Sequence, residues 1–166
     1  MSQSIASPLP PPRRVVTGHN ANGQSTVTFD SQLTPHTFGD HSNLTMIWST
    51  TEHPADVNSP QDGALLTSGV PPKGVGMTVY DLPPKTEGVF HRSITLDYVI
   101  VGKGSVVLGL DDGSKVALTE GDVVIQRATM HSWSNPSDQW TRLYGHMMVS
   151  QAPIVNGKEL EADWPF

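Results

Sequence analysis

Apolar residues in this chain come in short runs that alternate with polar ones, and turn-formers interrupt every run. Val15-Val16-Thr17 and Ser25-Thr26-Val27-Thr28-Phe29 flank Asn20-Ala21-Asn22-Gly23, which predicts a hairpin over residues 15–30. Further strands are predicted at residues 44–50, 77–80, 96–101, 105–110, 115–118, 123–126 and 140–150. Asp111-Asp112-Gly113-Ser114 and Glu120-Gly121-Asp122 supply tight turns between them. Residues 52–75, with Pro54, Pro60, Pro71 and Pro72, read as a long irregular stretch of the kind that forms lids or pocket walls. Only Lys158-Glu159-Leu160-Glu161 has the look of a helical turn. Many short strands without an amphipathic helix predict an all-β fold, an antiparallel sandwich or barrel.

Composition sharpens this picture. With 166 residues the chain is one domain. Its 15 glycines and 14 prolines exceed ordinary usage, as a fold rich in turns requires. Residues 1–14, MSQSIASPLPPPRR, form a Pro-rich N-terminal arm, either a free tail or a strap across a partner subunit. Residues 15–155 are the barrel and 156–166 a C-terminal tail. The net charge of −6 leaves no basic patch for a phosphate backbone, so no nucleic acid partner is expected. The absence of cysteine excludes disulfides, thiolate ligands and a thiol nucleophile. No apolar run nears the ~18 residues of a membrane helix. Met1-Ser2-Gln3-Ser4-Ile5 lacks the apolar core of a signal peptide. A cytoplasmic protein with no membrane partner is the expectation.

Three side chains stand out by type and position: His91 after Gly88-Val89-Phe90, Asp97 at the start of LDYVIV, and His131 after the turn Arg127-Ala128-Thr129-Met130. Two imidazoles and one carboxylate can hold a divalent Zn, Fe or Mn while leaving positions open for substrate. Without a metal, the same residues can do acid–base work, His131 carrying the proton and Asp97 orienting it. Side-chain alternation puts Asp97, Val99 and Val101 on one face, and His131, Trp133 and Asn135 on one face. Candidate substrate-binding residues are Arg127, Gln126, Trp133, Tyr98, Trp48 and His146. Arg127 or Arg92 could pair with a carboxylate, although a surface ion pair is the plainer role for Arg92. His146 has the parity of Tyr144 and Met148, and either face of its strand could point inward. His19, His36, His41 and His53 lie in loops and read as bystanders.

Two spaced motifs, residues 88–104 and 121–135, resemble the signature motifs of the cupin superfamily. His91, Asp97 and Gly104 stand where the first motif has its first His, its Glu and its closing Gly. Gly121, His131 and Asn135 match the second, with the H-x(3)-N spacing kept in His131-Ser132-Trp133-Ser134-Asn135. The departures are Ser93 at the second His position, Asp for Glu at 97, and Arg127 and Thr129 for Pro and Gly. The chain is most similar to small single-domain cupins of bacteria and fungi, many encoded among secondary-metabolism enzymes. The resemblance implies a jelly-roll β-barrel, a small-molecule substrate in its mouth, and a homodimer formed through the N-terminal segment.

The expected function is that of a lyase or isomerase. It would decarboxylate, dehydrate or isomerise an oxygenated acid or polyketide-like intermediate, with a divalent metal on His91, Asp97 and His131. The alternatives are a non-haem Fe(II) oxygenase with the same ligands, and a non-catalytic module that binds a small molecule.

Overall fold

The computed structural model describes residues 7–65, 70–71 and 73–164. Thirteen strands run in chain order: β1 (Arg13–His19), β2 (Ser25–Gln32), β3 (His36–Thr37), β4 (Asn43–Ser49), β5 (Val75–Leu82), β6 (Thr95–Lys103), β7 (Ser105–Leu110), β8 (Lys115–Thr119), β9 (Val123–Arg127), β10 (His131–Ser134), β11 (Thr141–Val149), β12 (Ile154–Val155) and β13 (Lys158–Glu159). Among the described residues there is no α-helix, and no helix is long and apolar enough to cross a membrane.

Two antiparallel sheets make the sandwich, a jelly roll. The larger has the order β3-β4-β5-β11-β6-β9 and the smaller the order β10-β7-β8. Alternation explains how they meet. In β6, Thr95, Asp97, Val99 and Val101 are buried while Tyr98 and Ile100 are exposed. Leu82, Val99, Val101 and Leu143 of the large sheet pack against Val106, Leu108, Leu118 and Trp133 of the small one. Burial of these side chains drives the closure of the two layers.

The barrel mouth is finished by irregular chain. Residues 86–92 run beside β10, with isolated bridges Thr86–Asn135 and His91–His131. Gly88 permits this approach, because a Cβ there would lie 2.3 Å from the Trp133 carbonyl oxygen. Pro10 lies on the outer face of the large sheet, where Arg142 Nη2 donates to its carbonyl at 2.9 Å, and Arg142 grips Asp81 through Nε and Nη2 at 2.7 Å each. Arg14, already part of β1, is 5% exposed and pairs with Asp62. Residues 1–6 of the arm, 66–69 and 72 of the long loop, and 165–166 of the tail lie outside the described residues.

The tail corrects one expectation. Residues 158–161 are not a helical turn: Lys158–Glu159 is the second strand of a hairpin paired with Ile154–Val155. Asn156 and Gly157 take φ of 52° and 76°, the left-handed pair that an Asn-Gly two-residue turn adopts, and this turn reverses the chain before a helix can start.

Candidate functional site

His91 and His131 are held as a matched pair. Their main chains exchange two hydrogen bonds, His91 N–H to His131 O at 2.9 Å and His131 N–H to His91 O at 3.0 Å. Each ring is tied in the same local way. His91 Nδ1 donates to the Val89 carbonyl at 3.0 Å, and His131 Nδ1 donates to the Thr129 carbonyl at 2.9 Å. A carbonyl only accepts, so both neutral rings carry the proton on Nδ1 and the lone pair on Nε2. The ring centroids are 4.3 Å apart.

Burial sets the electrostatics. His131 is 3% exposed. Burial pushes its pKa down to about 4, against a raising contribution from the Thr129 carbonyl, and the His91 charge lowers it further. The ring is therefore neutral across the ordinary pH range. Asp97, 6% exposed on the inner face of β6, is pushed the other way by burial, up to about 6, against the lowering effect of the Thr95 hydroxyl. Its Oδ1 is buried without a hydrogen-bond partner. Ser93, at the motif's second His position, is spent on structure: its hydroxyl lies 2.7 Å from that of Thr95.

The structure brings the His91 and His131 rings together, while Asp97 projects from β6 of the large sheet. Among the described residues no three His, Cys, Asp or Glu side chains lie close enough together to hold a metal ion. Asp97 stands on the large sheet and the imidazole pair on the opposite wall, and Asp is one methylene shorter than the Glu of the motif. The orphaned Oδ1 of Asp97 points to an interior that accepts a polar ligand.

The expected substrate-binding residues separate into two groups. Gln126 and Trp133 are at the site. Gln126 pairs with Asp97 across β6 and β9, and its Nε2 donates to the Thr129 hydroxyl and, at 3.3 Å, to the same Thr129 carbonyl that His131 uses. It braces the turn that carries His131. Trp133 lies one layer deeper, edge-on to the His131 ring at 5.8 Å. Tyr98, His146, Trp48 and Arg127 lie on the outer face of the large sheet. Tyr98 opposes His146 in the register, with ring centroids 6.0 Å apart, and His146 opposes Met77, which opposes Trp48. Arg127 opposes Leu96, which has the parity of Tyr98. Trp48 packs instead on Phe29 and under the Arg14 guanidinium. A cavity of about 220 Å³ lined by His53, Val75, Leu96 and Met148 touches none of His91, Asp97 and His131.

Sequence reasoning missed Trp164, whose indole stacks on the His91 ring with centroids 5.0 Å apart and planes 26° apart. A lone Trp in a short tail gave no periodic signal.

No family model matches the chain. It is 35% identical over 161 residues to the Cupin-domain-containing oxidoreductase virC of Hypocrea virens, a match covering 89% of this chain and 82% of that protein. It is 31% identical over 170 residues to the Phomopsin biosynthesis cluster protein C' of Diaporthe leptostromiformis, covering 96% and 90%. Among solved structures, the cupin domain of Schizosaccharomyces pombe Cnp3 superposes with a TM-score of 0.54 at 11% identity, covering 83% of this chain and 88% of that one.

Proposed function

The chain belongs to the cupin superfamily, and from that premise we propose that it is a proton-transfer enzyme, a lyase or isomerase acting on a small oxygenated acid. The observation that carries this reading is the paired, Nδ1-anchored imidazoles at the barrel mouth, one of them desolvated. His131 Nε2 takes a proton from the carbon next to a substrate carbonyl, and the electron pair of the broken C–H bond becomes the enolate. An anionic substrate raises the basicity of His131 as it binds, because a nearby negative charge favours the imidazolium. His91, the more accessible ring, is the partner that stabilises the developing oxyanion or returns the proton. Asp97, whose pKa stands near 6, is the second interior group able to exchange a proton close to neutrality.

Solvent deuterium exchange into a panel of β-hydroxy and β-keto acids, followed by NMR, tests the proposal. The native protein labels the α-carbon of one member, and His131→Ala slows this by roughly 10²- to 10⁴-fold, the usual worth of a positioned base. Full exchange by both His131→Ala and His91→Ala removes the catalytic reading and leaves a small-molecule-binding module.

A second reading, oxidation of the same class of ligand, is favoured by relatives such as the Cupin-domain-containing oxidoreductases virC and fogC, the latter from Aspergillus ruber and 30% identical over 158 residues. Dioxygen uptake that accompanies turnover selects it, and full turnover under strict anaerobiosis rejects it. A homodimer belongs to the same proposal: the β1–β2 hairpin leaves Val15 and Val27 about half exposed, at 51% and 55%, as a segment that packs on a second copy would.

A further inference from the structure

Residues 160–164 return to the barrel mouth. After the β12–β13 turn, Leu160 N–H donates to the Pro153 carbonyl at 2.9 Å. Asp163 then pairs with Arg92 as a one-residue strand, through Arg92 N–H to Asp163 O at 2.8 Å and Asp163 N–H to Arg92 O at 2.9 Å. Arg92 Nη1 adds a bond to the Glu161 carbonyl at 3.4 Å. These bonds set the next residue, Trp164, flat on the His91 imidazole.

His91 needs such a contact. Its bond from Nδ1 to the Val89 carbonyl sets the tautomer, and its centroid lies 4.3 Å from that of His131 on one side. His131 is 3% exposed and packed edge-on to Trp133, whereas His91 is the more open ring of the two. A stacked indole defines the plane of His91 and shields one face from water, which is what a proton-transfer ring requires of its supports. Trp164 itself remains 44% exposed, so burial alone does not account for its place.

We propose that Trp164 is a positioning residue of this site: the C-terminal strap, locked by the Arg92–Asp163 bridge, fixes the plane of the His91 imidazole opposite His131. The proposal rests on the proton-transfer reading above, but its test does not require turnover.

The test uses the full chain, Trp164→Ala and Trp164→Phe. Ring-carbon NMR of the histidines, with His91 assigned through His91→Gln, reads the indole ring current. Diethylpyrocarbonate labelling with peptide mass spectrometry reads the accessibility of each of the seven histidines. In Trp164→Ala the His91 signals lose the ring-current displacement, and His91 is carbethoxylated roughly two- to tenfold faster, the factor that an aromatic pair of this kind corresponds to. Trp164→Phe restores most of the protection, and thermal midpoints stay together. Unchanged His91 signals and rate in Trp164→Ala overturn the proposal, as does equal acceleration at all seven rings. If His131→Ala and His91→Ala both keep full deuterium exchange, the functional reading fails while the ring assay still decides the role of Trp164.

Discussion

His131 and Asn135 stand four residues apart with the same parity, both nearly inaccessible, yet the two ends of the barrel they occupy treat polar atoms in opposite ways. At the closed end Asn135 is wholly consumed. Its Nδ2 donates to the carbonyls of Leu82, Pro83 and Gln139 at 3.2, 3.0 and 2.8 Å, and its Oδ1 accepts from the Ser137 amide and hydroxyl at 3.1 and 2.7 Å. At the mouth, His131 spends only Nδ1, and Asp97 keeps a buried oxygen with no partner. A polar group with all its bonds made specifies structure, whereas one left open costs stability and is retained for what it binds. The contrast separates the scaffold half of the H-x(3)-N motif from its chemical half.

The largest effect is expected at the closed end. Asn135→Ala removes every bond of this buried amide, its donations to the Leu82, Pro83 and Gln139 carbonyls and its acceptance from the Ser137 amide, and costs on the order of 3 kcal/mol. Urea unfolding reads this as a lower midpoint with an unchanged slope. Asn135→Asp is no rescue, because a carboxylate cannot make the three donations. Equal stability of Asn135→Ala and the native chain would erase the distinction between the two ends.

The mouth is tested by pH. Asp97 titrates at about 6 in the folded chain against the usual 3.8, so between those values the native state holds a proton that the unfolded chain has lost. Its contribution to stability therefore falls as pH rises from about 4 to about 6. His131 titrates at about 4 against the usual 6.5, so the unfolded chain takes its proton first, and this contribution falls as pH drops from 6.5 to about 4. Each shift corresponds to about 3 kcal/mol, and the two oppose each other over nearly the same window. Asp97→Asn then unmasks the His131 slope, gaining about 3 kcal/mol on the native chain by pH 7 relative to pH 4. His131→Gln unmasks the opposite slope. Thermal unfolding across pH 4 to 7 checks both, and a flat difference profile for Asp97→Asn would mean that its carboxyl is solvated after all.

How far all this was legible depends on the kind of signal. Strand alternation was enough to place Asp97, Val99 and Val101 on one face, and packing against the second sheet makes that face the inner one. The spacing from His131 to Asn135 matched the second motif, but the different surroundings of the two residues came from the structure. Trp48 was not legible: Leu44 and Met46 face inward, but the register shifts between Met46 and Trp48, and a one-residue bulge sends the indole to the outer face. The distance from Asp97 to the imidazole pair depends on how two separate sheets stack, and the stacking of Trp164 on His91 spans 73 positions of chain. Neither is encoded in any local period.

The smallest effect is expected where the sheet itself separates chemistry from surface. In β11, Leu143 opposes Val101 and Met147 opposes Asp97, so Tyr144 and His146 face outward, and His146 meets Tyr98 on the far side of the backbone. That side also carries exposed Ile100, Val123 and Ile125, so no line of inner-face side chains connects His146 to the imidazole pair. His146→Gln removes one half-exposed ring contact, and stability shifts by less than about 0.5 kcal/mol, the range of surface substitutions. Deuterium exchange and the His91 ring signals stay at native values. Loss of exchange in this variant with unchanged thermal stability would move the chemistry to the outer face and away from the imidazole pair at the mouth.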